Sequence, residues 1–72
     1  MEITIKSGMH YQTQIMLQCA KQLECKNMSD FAKKVKIPLA TVYRYYNGER
    51  HITSKNLMKL VKICNITRIN IE

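Results

Sequence analysis

The spacing of hydrophobic residues divides the chain into extended and helical stretches. Residues 2–6 alternate apolar and polar side chains, which is typical of a short strand, and Ser-Gly then breaks the pattern. Residues 9–25 contain no Gly or Pro and place apolar residues at helical spacing, namely Ile15, Met16, Cys19 and Leu23. Residues 66–71 alternate again. The pattern therefore predicts a first strand, an amphipathic helix over 9–25 and a second short strand at the end.

Two shorter helices are predicted on either side of the only proline. Ser29 is a good N-cap, so a second helix is expected over residues 29–36. Pro38 disfavours helical geometry in the residue before it but is well tolerated at the start of a helix. A third helix is therefore expected to begin at Pro38 or Leu39 and to run to about Tyr46, before an Asn-Gly pair that ends it.

A fourth helix completes the pattern. After the loop 49–52, Thr53 or Ser54 is expected to cap a helix that Asn65 stops. Its apolar face consists of Leu57, Leu60, Val61 and Cys64, and its opposite face carries three lysines. The chain is thus expected to form one mainly α domain over 1–72. The two terminal strands are compatible with a small β-ribbon, either within one chain or across a dimer.

Length and charge indicate a binding protein. A chain of 72 residues buries only about 60% of its unfolded surface, which leaves little room for a deep active site. Twelve Lys and Arg against five Asp and Glu give a net charge of +7, which favours nucleic acid or an anionic membrane surface as partner. No apolar run is long enough to span a membrane, and the N-terminus lacks the pattern of a signal peptide, so we expect a cytoplasmic protein.

Candidate chemistry is absent from the sequence. Cys19, Cys25 and Cys64 are odd in number and form no C-x-x-C pair, which predicts neither a disulfide framework nor a zinc site. Free thiols favour a reducing compartment. No paired carboxylates, nucleophile with a base, or Gly-rich phosphate loop is evident. We therefore expect no enzyme activity, cofactor, metal or small-molecule ligand.

Residues 29–48 contain the most informative arrangement, two short helices joined by a tight turn. Ala32 is small where the helices must approach closely, and Ile37 fills the corner between them. Val42 and Tyr45 are expected to anchor the third helix inward. Its other face stays exposed, which is the geometry needed to enter a DNA major groove about 12 Å wide.

This segment resembles the DNA-binding unit of Cro/CI-type phage repressors and is also similar to LacI-type headpieces. The resemblance is carried by Asp30-Phe31-Ala32, Ile37, Ala40-Thr41-Val42-Tyr43-Arg44 and Asn47-Gly48. A full helix precedes the motif, which favours the Cro/CI arrangement. The resemblance implies a compact four-helix, lambda-repressor-like helix-turn-helix domain, sequence-specific binding to double-stranded DNA, and an origin in a phage or mobile element.

One residue departs from the family pattern. The position before Ile37 is normally Gly, because the turn there adopts a left-handed backbone, but here it is Lys36. A non-glycine residue takes that conformation at a cost of about 1 kcal/mol. A strained or slightly altered turn is therefore expected.

The resemblance also implies which residues contact DNA. Base-reading positions fall on Leu39, Ala40 and Arg44, with Thr41 and Tyr43 beside them. An arginine can donate two hydrogen bonds to guanine O6 and N7, while Leu and Ala can pack on thymine methyl groups. Phosphate contacts are expected before and after the motif, at Asn27, Ser29, Asn47, Arg50, His51 and Lys55.

These features favour a transcriptional regulator, and repression by operator occupancy is the simplest mechanism. Small helix-turn-helix proteins usually bind pseudo-palindromic sites as symmetric homodimers. The C-terminal strand and the fourth helix are the best candidates for the dimer contact. The alternative is a phage-type interaction module or inhibitor that reuses this fold to bind a protein, for example in a host nucleoprotein complex.

Overall fold

Four helices and two short strands account for most of the chain in a computed structural model that describes residues 1–72. In chain order they are β1 (Glu2–Ile5), α1 (Tyr11–Gln22), α2 (Met28–Val35), α3 (Leu39–Tyr46), α4 (Ser54–Ile63) and β2 (Arg68–Ile71). The mainly α, four-helix architecture predicted from the sequence is confirmed, and the proline turn separates α2 from α3 as expected.

The first helix is shorter at both ends than the predicted 9–25. His10 is its N-cap, because the ring Nδ1 accepts a hydrogen bond from the backbone N–H of Gln12. Beyond its last turn, Glu24 adopts a left-handed φ of 55°, which the helix cannot continue through. With 12 residues it is the longest helix, and no helix is long and apolar enough to cross a bilayer.

The N-cap of the second helix lies two residues before the predicted N-cap Ser29, so that prediction is wrong. Asn27 is the N-cap, and its Oδ1 accepts a hydrogen bond from the N–H of Asp30 at 2.9 Å. The Asp30 carboxylate in turn accepts from the N–H of Lys26 at 3.1 Å. Asn and Ser are nearly equal as caps, and the choice of Asn27 brings Met28 into the helix, where it packs against the core.

The core lies between the helices and beneath β1. It consists of twelve buried apolar side chains: Ile3, Ile15, Met16, Cys19, Phe31, Ala32, Val35, Ile37, Val42, Tyr45, Leu60 and Cys64. Every residue expected to set the angle between α2 and α3 is among them. On α4 only Leu60 and Cys64 are buried, while Leu57 and Val61 are half-buried.

The turn between α2 and α3 has the predicted left-handed residue. Lys36 lies at φ 58° and ψ 43°, and the N–H of Ile37 donates to the carbonyl of Ala32 at 3.2 Å. The ammonium group of Lys59 on α4 donates to the Lys36 carbonyl at 2.9 Å. The turn thus keeps the family geometry without glycine, and α4 supports it from below.

The two strands form a parallel pair within one chain, with Ile3 opposite Ile69 and Ile5 opposite Ile71. Of the two arrangements that the sequence left open, pairing within one chain and pairing across a dimer, the structure has the first. The second strand covers Arg68–Ile71, which is shorter than the predicted 66–71. The shortening follows from geometry, since the chain is still turning out of α4 at Ile66, whose N–H donates to the carbonyl of Val61.

A buried glutamine at the start of α1 fixes the loop that follows α3. Gln12 is fully buried, and its Nε2 donates to the carbonyls of Tyr45 at 3.0 Å and Arg50 at 2.7 Å. Its Oε1 accepts from the N–H of Ile52 at 3.0 Å and from the hydroxyl of Tyr11 at 3.1 Å. One side chain therefore joins α1, the end of α3 and the following loop.

Replacing Lys36 by glycine is expected to stabilise the protein by up to about 1 kcal/mol, because glycine removes the steric cost of the left-handed backbone. Urea unfolding followed by circular dichroism measures the change. Lys33→Gly is the matched control, since Lys33 lies in right-handed helix, where glycine costs about 1 kcal/mol. A Lys36→Gly variant as unstable as Lys33→Gly would contradict the strain argument.

Replacing Gln12 by leucine keeps the side-chain volume similar but removes four hydrogen bonds, and it leaves the Arg50 carbonyl and the Ile52 N–H without a partner. We expect a loss of about 2–4 kcal/mol in the free energy of unfolding, together with faster hydrogen exchange at the Ile52 amide. The exposed Gln22 at the other end of α1 provides the control, and Gln22→Leu should change neither. Unchanged exchange at Ile52 in Gln12→Leu would show that the loop does not depend on this amide.

Candidate nucleic-acid interface

The third helix presents one face to the core and the other to solvent. Val42 and Tyr45 are buried at 0% and 1% exposure, whereas Tyr43 is 46% exposed. Of the residues predicted to read bases, Leu39, Ala40, Tyr43 and Arg44 are exposed and Thr41 is half-buried. All five lie on this one helix of eight residues, so the structure brings them together as a continuous strip.

Tyr45 anchors the inner face of this helix. Its hydroxyl accepts a hydrogen bond from the side-chain amide of Asn56 on α4 at 2.8 Å. Burial raises the pKa of the Tyr45 hydroxyl, but hydrogen bonds from Asn56 and Thr53 outweigh burial and bring the pKa below its usual value. The side chain of Tyr45 is bonded to α4 and its carbonyl is bonded to Gln12 of α1, so the orientation of α3 is fixed by contacts with two other helices.

The start of α3 borders a shallow groove of about 450 Å³ at the corner between the two helices. Seven residues line this corner groove: Ser29, Ala32, Lys33, Lys36, Ile37, Pro38 and Leu39. The predicted phosphate contact Ser29 and the predicted base contact Leu39 thus share one depression. Lys33 and Lys36 add two exposed cations to it.

These two lysines were not among the predicted contacts, although the sequence holds a signal for one of them. Lys33 follows Ser29 by four residues, so both lie on the same face of α2. Lys36 is the C-cap of α2 and has a left-handed backbone, so helical spacing does not give the position of its side chain.

Few of the positive charges are neutralised within the protein. The structure contains two ion pairs, Lys34 with Asp30 at 3.6 Å and Arg68 with Glu2 at 3.8 Å. Of the twelve Lys and Arg, ten (12 minus 2) therefore have no acidic partner. The unpaired cations include Arg44 and the cations on either side of α3. They are available to an external polyanion.

Asp30, the acidic member of the first pair, makes its contacts within the protein. The hydrogen bond from the N–H of Lys26, assisted by the charge of Lys34, holds the pKa of the Asp30 carboxyl below its usual value. Lys34 also donates to the carbonyl of Leu23 at 2.9 Å. These contacts occupy Lys34 and leave Lys33 and Lys36 as the unpaired cations of the corner groove.

The predicted phosphate contacts fall into two groups, one on each side of α3. Asn27 and Ser29 lie at the start of α2, where the Oδ1 of Asn27 is occupied by the cap. The second group follows the helix and comprises the C-cap Asn47, the exposed loop residues Arg50 and His51, and Lys55 in the first turn of α4. The exposed strip of α3 therefore has polar and basic groups both before it and after it along the chain.

The loop that carries the second group is held by the start of α1. The hydroxyl of Tyr11 lies 3.3 Å from Nδ1 of His51, and the hydroxyl of Thr13 donates to the carbonyl of Tyr46. Gly48, at φ 75°, lies against His10, where a Cβ would come within 3.2 Å of the ring. Both the left-handed backbone and the close approach of the His10 ring favour glycine at this position.

Sequence reasoning missed this role of α1. Gln12 precedes Ile15 and Met16 by three and four residues, so it is a polar residue on the apolar face of the helix. That position was the available signal, because a buried polar side chain requires hydrogen-bond partners. Its three backbone partners lie 33 to 40 residues away and could not be identified from helical spacing.

Comparison with known proteins agrees with this geometry. Neither the search of curated proteins nor the search of solved structures gives a match. The helix-turn-helix family model matches residues 20–69, which is 50 of the 72 residues and includes α2, the turn, α3 and α4. The chain belongs to the helix-turn-helix family of the Cro/CI type, a family of DNA-binding regulators.

Proposed function

We propose that this protein is a Cro-like repressor that binds a specific sequence of double-stranded DNA and acts by occupying an operator. The observation that carries the proposal is the exposed strip of α3, which holds an unpaired arginine and lies between two groups of unpaired cations. An eight-residue helix fixed from beneath can enter the major groove without rearranging.

Within this strip, Arg44 is the principal reader of sequence. It lies in the last turn of α3, is exposed and has no acidic partner, so its guanidinium is free to donate two hydrogen bonds to guanine O6 and N7. Leu39 and Ala40 at the start of the helix offer apolar contact to thymine methyl groups, and Tyr43 with Thr41 offers hydroxyls to a base edge or phosphate.

The flanking groups set the position of the helix on the duplex. The first-turn N–H groups of α2 at Met28 and Ser29 have no partner within the helix, and they lie at its positive end. Asn47, Arg50, His51 and Lys55 supply contacts on the far side, and Lys33 and Lys36 join the near side. Contacts of this kind fix register and supply affinity without reading sequence.

One such helix covers only a few base pairs, so we propose that the protein binds as a homodimer to a pseudo-palindromic operator with half-sites about 34 Å apart. A bound dimer would exclude polymerase from the promoter.

Replacing Arg44 by alanine is expected to remove the preference for one base pair per half-site, which is worth about 1–3 kcal/mol, because the bidentate contact is lost. Selection from a random duplex library, performed with both proteins, identifies the position. Lys21→Ala is the control, since Lys21 is also exposed but lies near the opposite end of α1 from the loop. An unchanged consensus for Arg44→Ala would overturn the base-reading role.

Replacing Arg50 and Lys55 together by alanine should instead weaken binding to all sequences alike. Two phosphate contacts are lost, so the slope of log K against log salt should become shallower by about 2. Titration of the selected duplex at several salt concentrations measures it. Binding that is insensitive to salt, or no binding to any duplex, would contradict the repressor proposal and favour a protein-binding module on this fold.

A further inference from the structure

One edge of the two-stranded sheet is closed by side chains of α1. The amide of Gln18 pairs with both backbone groups of Thr4, accepting from its N–H at 3.0 Å and donating to its carbonyl at 2.8 Å. The amide of Gln14 does the same at Lys6, at 2.8 Å and 2.7 Å. These two amides occupy the place of a neighbouring strand, so β1 cannot accept another strand on that side.

The opposite edge of the sheet is open. The N–H of Glu72 donates to the carbonyl of Ile5 at 2.9 Å, so the backbone groups of Glu72 face β1. Because these groups alternate in direction along a strand, those of Ile69 and Ile71 face away from β1. No other segment of the chain pairs with them, which leaves a free strand edge with two N–H and two C=O groups.

The same edge overhangs an apolar cavity. Its volume is about 260 Å³, and all seven residues that line it are apolar or aromatic: Ile5, Tyr11, Ile15, Ile52, Leu57, Ile69 and Ile71. Ile71 is 82% exposed and Ile69 is 43% exposed, although both belong to the face of the sheet that carries the buried Ile3. The inner face of β2 thus extends beyond the core that should cover it.

We infer that a second copy of this chain covers this surface, with its own β2 paired antiparallel to the open edge. The two-fold axis passes through Asn70, so that Ile69 of each copy lies opposite Ile71 of the other. The outward backbone groups of these residues then form four hydrogen bonds between the copies. The isoleucines of both copies lie on the same face and close the two cavities, which joins the two sheets into one of four strands.

Charge complementarity selects this register among those the backbone allows. Centring the pair on Asn70 places Arg68 of one copy opposite Glu72 of the other, and symmetry repeats this contact. Arg68 already lies 3.8 Å from Glu2 of its own chain, so its guanidinium would lie between two carboxylates. Centring the pair on Ile69 or on Ile71 loses the contacts between Arg68 and Glu72. Sliding one strand by a single residue places backbone groups that face away from β1 opposite groups that face toward it, so the hydrogen bonds are lost.

This interface deepens the homodimer part of the proposed function, and it is tested without DNA. Ile71→Lys should weaken the dimer by about 100-fold or more in sedimentation equilibrium, because each copy loses a buried apolar side chain. Leu17→Lys is the control, since Leu17 is also an exposed apolar residue, 45% exposed on α1, and does not line the cavity. A monomeric wild-type protein, or a dimer broken by Leu17→Lys and not by Ile71→Lys, overturns the inference.

A cysteine at position 70 tests the register. In this arrangement Asn70 faces its own symmetry mate in a pair whose Cα atoms are about 4.5 Å apart, within disulfide range. Asn70→Cys in a Cys25→Ser background, where Cys19 and Cys64 are buried, should cross-link rapidly on mild oxidation. Thr67→Cys in the same background should not. A dimer that cross-links at 67 and not at 70 contradicts the register.

The two proposals fail in different ways. If the operator-binding proposal is wrong, the dimer forms and cross-links at position 70 but selects no duplex. If the interface is wrong, duplex selection succeeds while Ile71→Lys leaves sedimentation unchanged.

Discussion

The buried amide of Gln12 is the contact on which the DNA-facing half of the molecule depends. An amide removed from water costs several kcal/mol unless each of its groups finds a partner. Here all four bonds are made only when α1, the end of α3 and the loop 49–52 are in place together. Folding of this region is therefore cooperative, and the loop gains an order that its exposed residues could not provide.

The same chemistry organises the other half of the molecule. The side-chain amides of Gln14 and Gln18 hydrogen-bond to the backbone of Lys6 and Thr4 and so close one edge of the sheet. Three glutamines on one helix thus decide which backbone groups are satisfied inside the chain. Within the sheet, the backbone groups left unpaired are on the outer edge of β2, beside exposed isoleucines, so the sheet is open on one edge only.

Local patterns in the sequence predicted the helices, the left-handed turn and the inner and outer faces of α3, because each depends on residues within a few positions of one another. The capping residue of α2 was wrong because Asn27 and Ser29 are equivalent caps, and packing of Met28 decides between them. The parallel pairing of the strands could not be predicted from the sequence. It depends on hydrogen bonds such as that between Thr67 and Met1, 66 residues apart, and on glutamine partners that helical spacing cannot identify.

In the proposed dimer, α1 connects the sheet to α3 in each copy, so the register of the β2 pair would also set the distance between the two α3 helices. Moving the pair by one allowed step, two residues, displaces the copies by about 7 Å along the strands. Duplex DNA rises by about 3.4 Å per base pair, so a displacement of that size along the DNA axis would equal about two base pairs of half-site separation. A charge pair between Arg68 and Glu72, weak in itself, would then influence operator choice by excluding the neighbouring registers. In the proposed dimer, the isoleucines would supply the stability, whereas Arg68 and Glu72 at the ends of the strand would set the register.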